Sequence, residues 1–168
     1  MKKFTLKHEI DCSAEDFWEV FFNDDFNTKL FLEELSFPEY EVVEKTESDT
    51  KITRTVRGMP KMDAPKPLKK LLGDGFRYEE SGTFDRSTKE WKFSMKPSTL
   101  ASKLRNEGTV HVEPIGDNRC RRVAALLCEA KIFGIGGLFE SFTEKEMTKG
   151  WNASAVFMNK WIGDNEPG

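Results

Sequence analysis

One junction constrains this chain more than any other feature. Ahead of it, apolar residues alternate along stretch after stretch in the two-residue rhythm of β-strands. Behind it, after Gly134-Ile135-Gly136-Gly137, a helical pattern runs from about Leu138 to Ile162. At ~1.5 Å per residue that segment spans roughly 35 Å, enough to cross a whole sheet. No earlier helical signal approaches this length.

The strand signals are ordered. Phe4 to Ile10 alternates, with Phe4, Leu6, His8 and Ile10 on one face. Ser13 then reads as the N-cap of a short helix carrying Phe17, Val20 and Phe21, and a second short helix runs through Phe26, Leu30, Phe31 and Leu35 to Pro38. Strands follow at Tyr40–Thr46, Lys51–Arg57, Gly75–Asp85, Glu90–Lys96, Arg105–Glu113 and Arg119–Phe133. A proline-rich stretch, Gly58 to Gly73, interrupts them and holds at most one helical turn at Leu68–Leu72. Short turns between consecutive strands imply an antiparallel sheet, and a sheet with one covered face makes an α+β layer. The expected architecture is a curved antiparallel sheet wrapped around the long C-terminal helix, with two short helices after the first strand. Residues 1–163 read as one domain and 164–168 as a flexible tail, with no linker or repeat.

Charge and cysteine content narrow the function classes. Lys and Arg number 26 against 29 Asp and Glu, a net charge of −3. Such a balance argues against a dedicated nucleic-acid binder. Three irregularly spaced cysteines, Cys12, Cys120 and Cys128, suggest free thiols and a cytoplasmic or other reducing compartment. No secretory signal or membrane-spanning run is expected, because charged residues interrupt the N-terminal apolar positions.

The order of elements resembles the helix-grip fold shared by START lipid-transfer domains, birch-pollen-allergen-like proteins and polyketide cyclases, the START-like or SRPBCC superfamily. Gly136-Gly137-Leu138-Phe139-Glu140, with Glu144, Gly150 and Trp161, is similar to the last helix of an uncharacterised START-like bacterial family. Gly58-Met59-Pro60 and Leu71-Leu72-Gly73 match the proline-rich loop of that family. Phe21-Phe22-Asn23-Asp24 and the Glu144–Trp151 region are similar to sterol-binding VASt domains. The resemblance implies an internal cavity and an apolar ligand, and neither likeness carries a catalytic motif.

Candidate residues fall into three groups. Trp91, Phe93 and Met95 share one face of a strand, and Phe139, Phe142, Met147, Trp151, Ala155 and Met158 recur along the last helix with Phe157 and Trp161. They make either a filled core or the wall of a ligand cavity. His8, Arg54, Glu80 and Arg122 are polar residues at inward parity. They either orient a ligand's polar group or sit at strand ends and in structural pairs. In the Gly58–Gly73 stretch, Lys61, Lys66, Lys69 and Lys70 alternate with apolar residues. That pattern suits either a lid making transient contact with an anionic membrane or an ordinary loop.

His8 and His111 lack partners at zinc-like spacing, and Gly134-x-Gly136-Gly137 lacks the βαβ context of a dinucleotide site, so no metal or cofactor is expected. The leading expectation is non-catalytic binding, and possible transport, of a lipid or other hydrophobic small molecule. The alternatives are a cyclase- or hydrolase-type enzyme using cavity-facing ionisable residues, and a protein-interaction or accessory subunit with a filled interior.

Overall fold

A computed structural model describes residues 1–165. β1 (Lys2–Ile10) leads into α1 (Ala14–Phe21) and α2 (Asp24–Thr28), which continues as a π-helical segment (Lys29–Glu34). β2 (Glu39–Glu47) and β3 (Lys51–Met59) precede a short helix, α3 (Lys66–Leu72). Four strands follow, β4 (Tyr78–Asp85), β5 (Glu90–Pro97), β6 (Leu104–Gly116) and β7 (Arg119–Ala130), and then α4 (Gly136–Asn165). The strands form one seven-stranded antiparallel sheet in the order β1-β7-β6-β5-β4-β3-β2. This is the helix-grip, START-like α+β fold that the sequence predicts.

Local chemistry explains the ends of the elements. Ser13 Oγ accepts from Asp16 N–H at 3.1 Å and Asn23 Oδ1 from Phe26 N–H at 2.8 Å, so each short helix starts on a side-chain cap. The strand expected from Gly75 begins only at Tyr78, because Gly75 takes a positive φ of 78°. The last strand stops at Ala130 rather than Phe133. Gly134 turns the chain at φ 83°, and Phe133 stands fully exposed. α4 starts two residues earlier than expected, at Gly136. A Cβ there would lie 2.5 Å from the Ala130 carbonyl oxygen, so only glycine permits this close entry. The helix also runs through Asp164 and Asn165, where a tail was expected, with Asn165 Nδ2 donating to the Trp161 carbonyl at 2.8 Å. Residues 166–168 of that expected tail lie outside the described residues.

Two apolar clusters fasten α4 to the sheet. Its C-terminal half, through Ala155, Met158 and Ile162, packs with Ile10, Phe17, Phe26, Trp91 and Val110. Near its N-terminus, Phe139 packs with Ala130 and with Leu68 and Leu72 of α3. Polar pins add register. Asn159 Oδ1 accepts from Asp11 N–H at 2.9 Å while its Nδ2 donates to the Glu9 carbonyl at 3.1 Å. Glu140 Oε2 accepts from Ala130 N–H at 2.9 Å. The helix is thus held at both ends, and the space between the two clusters is where the interior opens.

Candidate ligand cavity

Period-two alternation sends every second strand residue toward α4. The register aligns these residues across neighbouring strands: Arg54 with Gly82, Gly82 with Phe93, and Phe93 with Gly108. The two glycines shape the wall. A Cβ on Gly82 would fall 2.1 Å from the Trp91 ring, and one on Gly108 would fall 2.9 Å from Phe93. Without side chains at these positions, the large rings of β5 lie down across their neighbours. The Arg54 guanidinium stacks 5.2 Å from the centroid of the Trp91 ring.

Between sheet and helix lies a cavity of about 610 Å³. This falls within the range of small-molecule sites. Trp91, Phe93, Met95, Phe139, Phe142, Met147, Trp151, Met158 and Arg54 all line it. Phe93 faces Trp151 across it, ring centroids 6.4 Å apart. Two expected wall residues are elsewhere. Ala155 is buried in the packed cluster under the C-terminal half of α4, because its side of the helix faces filled core. His8 borders the helix rather than the cavity. Its Nε2 bonds Asn152 Oδ1 at 2.7 Å and its Nδ1 meets Arg122 Nη2 at 3.1 Å. A larger recess, about 1030 Å³, lies on the outer face of the sheet. It is an open groove bordered by Thr53, Thr55, Ser81, Thr83, Lys92 and Ser94, without the enclosing apolar wall of a ligand site.

The end of the cavity beside α3 is bordered by Pro60, Lys61, Met62, Asp63, Leu72 and Phe76. Leu68 and Leu72 of α3 turn inward, so the apolar side of this helix is spent on the fold. Lys61, Lys66, Lys69 and Lys70 are exposed, and Lys61 also borders the cavity. The π-helical segment supplies Leu30, Phe31 and Glu34 to the wall. Its wider turn is sealed by Leu35 N–H donating to the Leu30 carbonyl at 2.8 Å.

Inside the apolar wall sits a polar group that sequence parity flagged only in part. Arg54, Glu80 and Arg122 line the cavity with Tyr40, Tyr78 and Asn106. Arg54 Nη1 donates to the Phe21 carbonyl at 2.9 Å, at the C-terminal end of α1, where the helix dipole favours a cation. Its Nε has no partner among the described residues. Arg122 Nη2 donates to His8 Nδ1 and to the Trp151 carbonyl, and its Nη1 to Ser154 Oγ at 3.0 Å. Its Nε is likewise unpartnered among the described residues, as is Asn106 Oδ1.

Burial disfavours charge throughout this group. It pulls Arg122 down to about 10 and also lowers Arg54. It raises the Glu80 carboxyl above its ordinary range against the opposing pull of Arg54. Burial likewise pushes Tyr40 up to about 12 and Tyr78 well above the ordinary phenol value. Tyr40 escaped the sequence reading because it stands at the start of β2 between two charged residues, Glu39 and Glu41, a setting that carries no signal of burial. Asn106 escaped it because an amide among polar neighbours carries no signal of burial.

Among the described residues no cluster of His, Cys, Asp or Glu could hold a metal ion, and no helix is long and apolar enough to cross a membrane. The three cysteines are buried and unbridged.

The fold recurs in solved structures. A protein of Thermus thermophilus superposes with a TM-score of 0.71 at 19% identity, covering 99% of this chain and 100% of that one. Norcoclaurine synthase from Thalictrum flavum, in complex with dopamine and hydroxybenzaldehyde, gives 0.64 at 19% identity over 99% and 89% of the two chains. A START superfamily protein from Mycobacterium smegmatis gives 0.58 at 10% identity over 96% and 97%. At these identities the likeness establishes the START-like fold. No curated protein matches the sequence significantly. A family profile matches residues 5–162, and the chain belongs to that family, described as a protein of unknown function (DUF2505).

Proposed function

We propose that the chain binds a lipid or other hydrophobic small molecule inside the cavity, without transforming it. The observation that carries this reading is the space of about 610 Å³ between sheet and helix, walled by aromatic and aliphatic side chains. Burying an apolar ligand there gains ~25 cal/mol per Å² removed from water. Residues 1–163 act as one unit in this reading, since β1 and α4 come from opposite ends of the chain and close the same interior. Exchange of ligand occurs through the lid at residues 58–73 and the glycine turn before α4. The exposed lysines of the lid make transient contact with anionic membranes, which suits a carrier. The unbridged cysteines fit a reducing compartment.

Native mass spectrometry of gently purified protein tests the binding reading. Co-purified lipid at one per chain is expected. The reading falls if the protein is ligand-free and no hydrophobic probe binds saturably.

A second reading rests on Glu80. A carboxyl held toward its neutral form beside Tyr78, in an apolar cavity, has the character of a general acid or base. Related folds include norcoclaurine synthase and an aromatase/cyclase from Streptomyces. Turnover of a cavity-bound aromatic or polyketide-like compound, abolished by Glu80→Gln with binding intact, would favour this enzyme over the carrier.

A further inference from the structure

Two of the arginines lining the cavity, Arg54 and Arg122, are more than nine-tenths buried, and neither lies in salt-bridge contact with a carboxylate among the described residues. A buried guanidinium normally requires an anionic partner. The two differ in how far their hydrogen-bonding capacity is used. Both Nη groups of Arg122 are taken by Ser154, His8 and the Trp151 carbonyl. Arg54 donates only to the Phe21 carbonyl. Arg54 lines the cavity, its guanidinium packed among the Phe21, Phe22 and Trp91 rings at 4.8, 5.2 and 5.2 Å from their centroids, and its Nε has no partner among the described residues.

Position matters as much as charge. Arg54 lies five residues along β3 from Met59, where the lid begins, a separation of roughly 17 Å at strand rise. Arg122 lies eight residues along β7 from Ala130, which packs under the lid helix. Both cations therefore sit at the deep end. The two buried cations thus lie at the base, while at the other end Met62, Phe76 and Phe139 wall the cavity and Lys61 and Asp63 there are exposed.

Building on the binding reading above, we infer that the occupant is a single-chain organic anion, a carboxylate or phosphate on an apolar tail, bound head-inward with its anionic group on the Arg54 guanidinium. The fork of Arg54 suits either oxyanion. Glu80 stands diagonally across from Arg54, on the same face of the adjacent strand. Burial raises its carboxyl above the ordinary range against the pull of Arg54, and in the protonated form it is an O–H donor to the same head. A volume near 610 Å³ suits one such molecule.

The test uses the full chain and a matched series: oleate, oleyl phosphate and oleyl alcohol, each displacing a neutral fluorescent probe. Wild-type protein should bind oleate or oleyl phosphate at least tenfold more tightly than the alcohol, and the better of the two identifies the head. Arg54→Gln should lose this preference while still binding the alcohol. Glu80→Gln, which keeps a neutral donor, should retain it. Equal binding of alcohol and anions by the wild type overturns the inference and leaves the binding reading intact. Failure of all three to bind removes both. The wild-type comparison needs no variant, so a misfolded Arg54→Gln does not blunt it. A folded Arg54→Gln that keeps the tenfold preference also overturns the assignment to Arg54.

Discussion

His8 accepts a hydrogen bond from Arg122 through Nδ1, at 3.1 Å, while its Nε2 lies 2.7 Å from Asn152 Oδ1 on α4. A guanidinium only donates, so Nδ1 must be the bare nitrogen and Nε2 must carry the proton. The network thus selects the neutral imidazole. Burial lowers the affinity of His8 for a second proton, the Asn152 contact partly restores it, and the charge of Arg122 lowers it again.

The sign of the resulting pH dependence follows. Unfolded His8 takes a proton near pH 6.5, and folded His8 only at lower pH. Its contribution to stability is complete above 6.5, falls as the pH drops from 6.5 toward the lowered folded value, and is level below that. Thermal melts between pH 5 and 8 should show this loss in the wild type. His8→Gln keeps a donor and an acceptor but does not titrate, and should flatten the curve in that window. An unchanged slope in the variant would assign the loss to other groups.

Glu80 gives the opposite sign. Its folded pKa lies above the ordinary 4.5, raised by burial against the pull of Arg54. Between 4.5 and the raised value the native state holds the proton more tightly than the unfolded chain, so stability declines as the pH rises through that window. Glu80→Gln should remove the decline and leave the protein at least as stable as the wild type at pH 7. A Glu80→Gln variant markedly less stable at pH 7 would mean that the carboxylate is ionised and paired in the native state.

The inward parity of Arg54, Glu80 and Arg122 was legible because strand periodicity is strict and these residues fall between apolar neighbours. The aromatic wall of β5 was legible for the same reason. Helical faces were harder to read. α4 runs for 30 residues over a curved sheet, so one stripe meets cavity in one turn and filled core in the next. This is why Trp151 borders the cavity while Ala155, one turn on, is packed. The π-helical turn at Lys29–Glu34 left no trace in the sequence. Its i→i+5 bond depends on packing against the sheet and not on residue type.

Gly82 is the most demanding position on the wall. Any Cβ there collides with Trp91, whose ring is buried and braced by Phe21 and Phe22, at 5.5 and 5.6 Å between centroids. Gly82→Ala should therefore cost ~1–3 kcal/mol, as overpacking usually does. The displaced indole should also change its fluorescence. Stability within a few tenths of a kcal/mol of the wild type would show that the wall yields more readily than this packing implies.

The Gly58–Gly73 stretch exposes its lysines and buries Leu68 and Leu72, so the membrane contact proposed for it is chiefly electrostatic. One apolar element accompanies it. Phe133 is fully exposed in the turn whose Ile132 and Ile135 pack beside α3. Replacing Lys61, Lys66, Lys69 and Lys70 with Gln should weaken binding to anionic vesicles and leave the melting temperature nearly unchanged, since solvated lysines add little to folding. Phe133→Ser should weaken vesicle binding further. Wild-type protein that binds neutral and anionic vesicles alike would rule out the electrostatic contact.

Two alanines on α4 separate empty space from filled core. Ala153 lines the cavity, whereas Ala155 is 5% exposed and packed among the main cluster with Ile10, Phe17 and Met158. The two lie only two residues apart, so helix propensity and distance from the helix ends are nearly matched. Ala153→Leu should project into open space. It should block a hydrophobic probe or reduce its affinity several-fold, with a modest change in stability. Ala155→Leu has no such room and should cost ~1–3 kcal/mol while leaving probe binding comparatively intact in the folded fraction. Probe titration and chemical denaturation of the same two variants supply both readouts. If Ala153→Leu destabilises as much as Ala155→Leu and leaves probe binding unchanged, then the space beneath Ala153 is closed in solution and the ligand lies elsewhere.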